Sequence, residues 1–252
     1  MIDNQDLYTY VLRQADNAMI LCQRLCQWAA KAPELEEDIA LTNIGLDMIG
    51  QARSLYQYAA ELSDIPTNED ELVFMRDERQ WSNFLLVEQP NGNFADTMAR
   101  QYFYDVWHLE YLQQLLSSQD QRLADIAAKS VKEAKYHVRH SSTWIKRLGD
   151  GTQLSHERMQ TAVNNMWLFT PEMFAADELD EKLLKANIGV NLELVKNAWE
   201  TQVHATLVDA TLNIPEQAFL QLGGREGMHS QHMGYLLAEM QILPRSMPGL
   251  TW

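Results

Sequence analysis

The stretch VKEAKYHVRH, residues 131–140, places Glu133 three residues before Tyr136 and four before His137. Glu-x-x-His is the half-site from which helix bundles build paired-iron centres, because side chains three apart on a helix share a face and can reach the same metals. Here the imidazole arrives one residue late. The earlier stretch LDMIGQ repeats the pattern with Asp47 in the place of Glu and Gly50 in the place of His. A complete centre also takes one carboxylate from each of two further helices. Asp16 and Asp105 stand at corresponding positions, 31 residues before Asp47 and 28 before Glu133.

All four carboxylate positions are therefore filled, and both histidine positions have lost their imidazole. Gly50 has no side chain, and a protonated phenol at Tyr136 binds ferrous iron poorly. Four carboxylates facing one another without a cation repel, so some must be protonated, paired or displaced. Gln51 and His137, each four residues after its carboxylate, are placed to supply hydrogen bonds or positive charge. The expectation is a decayed di-iron centre at Asp16, Asp47, Gly50, Asp105, Glu133 and Tyr136, with no catalytic, cofactor-binding or metal residue left in the chain. The alternative is a free-standing metal-dependent oxidase or oxygenase with an atypical set, Asp47, Asp105, Glu133 and His137.

Other groups carry weaker signals. His229 and His232 are three apart, a spacing that suits zinc, but two histidines without a third ligand make a poor site, and both read as surface or interface residues. LGGREGMHS, residues 222–230, sets glycines and Arg225 before a helix, where a phosphate such as that of CoA could rest; a plain loop-to-helix turn is the simpler reading. His108 and His140 flank the inner face of their helices. The aromatic run YFYDVWHLEY, residues 102–111, reads as core. No nucleophile elbow, Walker loop or dinucleotide fingerprint is present.

The elements that must hold these groups are helices. With 11 Gly and 7 Pro in 252 residues, and few alternating β-branched runs, no strand signal competes. The first helix is expected over 3–30, and the second opens at Pro33 and runs to about Glu61. A shorter helix follows over 69–83. The third and fourth long helices cover 94–116 and 120–148, the fourth ending at Gly149, and shorter helices occupy 156–169, 191–211 and 229–243. Without any linker or low-complexity stretch, residues 1–252 read as a single domain. The expected fold is all-α, a ferritin-like four-helix bundle with additional C-terminal helices.

Composition narrows the function. A net charge of −15 and a pI of about 4.8 repel phosphate backbones and anionic lipid, so neither nucleic acid nor membrane is an expected partner. No run approaches the ~18 apolar residues of a spanning helix. The polar, acidic start MIDNQDLYTY has no signal-peptide character, which points to the cytoplasm. Cys22 and Cys26, four apart on one helix, are too few for a disulfide framework and poorly placed to bond each other.

The stretches DIALTNIGLDMIGQAR, RDERQWSNFLLVEQPNGNFADTMARQYFYDVWH, KEAKYHVRHSSTWIKRLGDGT and GGREGMHSQHMGYLLAEMQ resemble the C subunits (PaaC-type) of the bacterial multicomponent 1,2-phenylacetyl-CoA epoxidase. The resemblance runs through most of the chain. It implies a ferritin-like subunit of the aerobic phenylacetate pathway that lacks the iron ligands and serves a structural role. It further implies a related catalytic A subunit that holds the di-iron pair, a B subunit in the full assembly, and a reductase passing electrons from NADPH. On its own, away from those partners, the chain is a candidate to pair as a homodimer.

Overall fold

The computed structural model describes residues 2–216 and 220–250. Among them are nine α-helices and no strand: α1 (Asn4–Cys26), α2 (Leu35–Leu62), α3 (Glu69–Phe74), α4 (Phe94–Leu115), α5 (Gln121–Gly149), α6 (Gln153–Trp167), α7 (Glu178–Lys185), α8 (Leu192–Asp209) and α9 (Gln231–Ser246). Side-chain caps set many of the starts. Asp3 accepts from the Asp6 amide while Asp6 accepts from the Asp3 amide, and the same reciprocal box opens α4 through Asn93 and Asp96 and α7 through Asp177 and Asp180. Each such box satisfies two amides that the helix itself leaves without a partner.

The chain forms two compact units. The first comprises α1, α2, α3 and α9. Its frame is an antiparallel α1–α2 pair: Tyr56 of α2 reaches Asp16 of α1, while at the other end a Cβ on Gly45 would lie 3.7 Å from Leu25 and Cys26. Leu7, Val11, Ala15, Ala18, Leu21 and Leu25 form the buried stripe of α1, at the i, i+3/i+4 spacing of one helix face. Burying each leucine contributes about 1.5–3 kcal/mol. Gln241 ties α9 down, donating to the carbonyls of Val73 and Arg76 at 2.9 and 3.0 Å.

The second unit comprises α4 to α8. Here α4 and α5 form an antiparallel pair joined by residues 116–120, a connection held by Ser118 Oγ donating to the Ile188 carbonyl at 2.7 Å. α5, α6 and α8 all pack on α4, which is why α4 is buried on nearly every side. Phe103, Trp167 and Trp199 meet with ring centroids 5.5–5.7 Å apart, and the indole N–H groups of Trp107 and Trp199 donate to the Met173 and Phe103 carbonyls. The aromatic run on α4 is core.

Three local expectations fail. α1 stops at Cys26, short of Ala30, which adopts a left-handed backbone conformation (φ 61°) that a helix cannot continue through. Pro33 lies outside α2, whose N-cap is Glu34. The helix expected over 69–83 ends at Phe74, and a short 3-10 turn at Glu78–Gln80 follows. α7 went unanticipated.

Candidate functional site

Asp16 has no exposed surface, and both of its oxygens are saturated. Arg76 Nη1 donates to Oδ2 at 3.0 Å, and Nη2 donates to Oδ1 in a closer contact. The Tyr56 hydroxyl donates to Oδ1 at 2.7 Å, and the Ser82 amide donates to Oδ2 at 2.9 Å. Arg76 is held in turn by the carbonyls of Leu72 and Gln80 and by the Trp81 ring, 4.3 Å below its guanidinium. Burial alone would favour a neutral guanidine. The Asp16 charge, the Tyr56 phenol and the hydrogen bond to Asp16 outweigh it and hold Arg76 charged, above its ordinary value. Tyr56 is raised by burial first and then by Asp16, so its proton stays on. A carboxylate with two donors on each oxygen and a cation against its face has no lone pair to offer iron.

On α2 the buried line is Leu41, Ile44, Met48, Gln51 and Leu55. Asp47 is half-buried beside it, and a Cβ on Gly50 would meet nothing within 4 Å. On α5 the buried line is Ser130, Ala134, His137 and Ser141. Glu133 is half-buried, and Tyr136 is 40% exposed with the Arg139 guanidinium 5.3 Å from its ring centre. The inward register is therefore one residue later than the spacing suggested. At i, i+3 the inward pairs are Met48 with Gln51 and Ala134 with His137, and neither contains a carboxylate. One residue is 100° of helix rotation, enough to move Tyr136 from an inner face to solvent.

Asp105 on α4 is buried and hydrogen-bonded within the second unit. Gln101 Nε2 donates to Oδ1 at 2.6 Å and Ser141 Oγ to Oδ2 at 2.8 Å, the same hydroxyl lying 2.9 Å from the His137 carbonyl. Burial raises the Asp105 carboxyl above its ordinary value, against the charge of His137 and the two hydrogen bonds. His108, buried on α4, falls to about 3 through burial and the His137 charge and is a neutral imidazole at physiological pH. His140 is half-buried. Among the described residues, no cluster of three or more His, Cys, Asp or Glu side chains is arranged to hold a metal ion.

His229 departs from the sequence reading most. Its side chain has no exposed surface; Nδ1 lies 2.9 Å from Glu88 Oε2 and Nε2 lies 3.1 Å from the Trp81 carbonyl. Glu88 also accepts from the Ser230 amide at 2.6 Å and Asn83 Nδ2 at 3.2 Å. A carbonyl only accepts, so Nε2 carries a proton. Burial works against a second proton, but the bond from Nδ1 to Glu88 and the Glu88 charge outweigh it and raise His229 above its ordinary value, which favours the imidazolium. With both nitrogens engaged it cannot share a zinc ion with His232, nor is it a surface residue. The adjoining loop takes a 3-10 turn at Gly224–Glu226 beside a cavity of about 910 Å³ lined by three carboxylates, Asp77, Glu78 and Glu226, and two basic residues, Arg79 and His229, a net acidic lining that disfavours a phosphate.

Arg76 and Glu88, which hold these two clusters together, were invisible as site residues. Arg76 lies in a polar stretch and Glu88 directly follows the apolar run Phe84–Val87, and no spacing rule links position 16 to 76 or 88 to 229.

Two antiparallel pairs of long helices, with carboxylates at ferritin-like positions but engaged by the chain itself, define a class of protein. Residues 2–252 match the phenylacetic acid catabolic protein family, and the chain belongs to that family, whose fold is all-α and ferritin-like. Over 246 residues it is 52% identical to the C subunit of the 1,2-phenylacetyl-CoA epoxidase of Escherichia coli strain K12, covering 98% of this chain and 99% of that one. No described helix is long and apolar enough to cross a membrane.

Proposed function

We propose that this chain is a non-catalytic, structural subunit of a 1,2-phenylacetyl-CoA epoxidase, pairing with a ferritin-like A subunit that carries the di-iron centre. In that assembly the partner inserts one oxygen atom from O2 across the aromatic ring, a reductase supplies electrons from NADPH, and a B subunit joins the full complex. The observation that carries the reading is the Asp16–Arg76 pair, in which a guanidinium occupies the carboxylate that a metal would need. The inward pairs Met48–Gln51 and Ala134–His137 lend further support, since neither offers a carboxylate. A working iron site does not fit these residues, so no step of the chemistry is assigned to them.

A subunit of this kind needs a face for its partner. On the outer side of α2, Leu35, Ile39, Leu46 and Ile49 stand 42–72% exposed along one line. Covering such an apolar line is a standard source of association energy. The deciding experiment is co-expression with an A subunit of the same system, followed by iron analysis of each subunit and turnover of the complex. Iron resident in this chain, with turnover lost when Asp105 or Glu133 is changed in a fully assembled complex, would instead favour the atypical metalloenzyme.

A further inference from the structure

Cys22 and Cys26 lie on the last turn of α1 with their sulfurs 3.9 Å apart. Cys26, the final residue of the helix, is exposed, and Cys22 beneath it is buried. We propose that Cys26 is a site of two-electron oxidation by hydroperoxides, with Cys22 as the internal thiol that closes a disulfide. The site borders α2 at Gly45 and Ile49 and does not rest on the epoxidase reading.

Geometry is the first support. Residues four apart on a helix have Cα atoms roughly 6 Å apart, inside the range of about 4.4–6.8 Å that a disulfide spans. The sulfurs must close from 3.9 Å to about 2 Å, and the Cβ atoms to about 3.8 Å, closer than a regular helix allows. At mid-helix that demand would forbid the bond. Here α1 ends at Cys26 and the chain continues into turns, so only a terminal turn has to yield.

Reactivity is the second. The Cys22 S–H bond to Cys26 draws the Cys26 thiol down to about 7, whereas the same contact and burial push Cys22 up. The C-terminal end of a helix disfavours an anion, so the Cys26 thiolate depends on Cys22. In the first step the Cys26 thiolate attacks the peroxide: an S–O bond forms, the O–O bond breaks, and the leaving alkoxide or hydroxide takes up a proton. Sulfur is oxidised by two electrons to the sulfenic acid and the peroxide is reduced. The Cys22 sulfur then displaces the sulfenic oxygen, an S–S bond forms, and that oxygen departs with the Cys22 proton as water.

The test uses the reduced full-length chain. Iodoacetamide alkylation of Cys26 across pH should show a midpoint near 7. In Cys22→Ala that midpoint should rise toward the ordinary thiol value of about 8.5. Stoichiometric hydrogen peroxide should remove two hydrogens from the intact mass, mapped to a Cys22–Cys26 linked peptide and reversed by dithiothreitol. Cys22→Ala should instead accumulate a dimedone-trapped sulfenic acid at Cys26, and Cys26→Ser should be inert at the same dose. An unchanged alkylation midpoint in Cys22→Ala would overturn the proposal. So would peroxide products confined to Cys26 sulfinic acid or chain-to-chain disulfides in the unmodified sequence.

Discussion

Arg76 and Asp16, sixty residues apart in the chain, meet as a two-pronged ion pair almost sealed from water. The guanidinium does within the first helical unit what a metal does in an active ferritin-like centre: it neutralises a buried carboxylate. A covalently attached cation cannot be lost or reduced.

Breaking that pair strands a buried charge, and the loss is expected to be about 3–5 kcal/mol for Arg76→Met or Asp16→Asn alone. Replacing both partners with apolar residues of similar size, Asp16→Leu with Arg76→Met, should recover most of the loss, because nothing charged is left behind. Urea denaturation of the two single variants and the double variant measures both. A double variant as unstable as the sum of the singles would contradict the pair being the reason.

The His229–Glu88 latch sets a pH dependence. Burial lowers the imidazolium's affinity for its proton, but the bond to and charge of Glu88, the Trp81 carbonyl and the Glu78 charge outweigh it, so His229 stands above its ordinary value. A group raised on folding contributes stability that is complete below its unfolded value of about 6.5 and lost as pH rises through the folded one. The protection factors of the α9 amides, from which the base-catalysed intrinsic rate is divided out, are therefore expected to fall above neutrality, and His229→Ala should abolish that fall. Lower protection at acidic than at neutral pH would reverse the sign and refute the assignment.

Iron analysis should find no stoichiometric metal in this chain when it is purified from iron-replete cells. Two irons per chain would overturn the structural reading, whereas traces of nickel or zinc would not bear on it.

Assembly is the complementary measurement. Co-expressed with a related subunit that carries intact Glu-x-x-His pairs, the chain should elute as a stable complex burying more than ~2,000 Å², the scale of obligate interfaces. Leu46→Asp with Ile49→Asp on the outer face of α2 should weaken it at least tenfold while leaving the helical content unchanged. Separate elution of the unaltered subunits at micromolar concentration would count against the pairing.

Glu133→Gln discriminates a structural carboxylate from a ligand. Glu133 is half-buried beside the inward line of α5. Turnover per assembled complex should stay within about twofold of the parent; a metal ligand would assemble normally and lose orders of magnitude. A well-assembled variant down a hundredfold would end the scaffold account.

The all-helical fold and the positions of the four long helices were legible in the sequence, because caps such as Asn93 and the apolar period of 3.6 residues act locally and leave their mark on neighbouring residues. The family was legible for the same reason, in motifs of contiguous residues. Which helix face points inward was not. Glu133 with Tyr136 and Ala134 with His137 satisfy the same i, i+3 spacing, and only packing against other helices selects the pair that is buried. Nor could sequence show that Arg76 neutralises Asp16 or that Glu88 holds the proton on His229. Those partners lie 60 and 141 residues apart and meet only once the chain has folded, and a charge buried against another has no signature in the residues beside it.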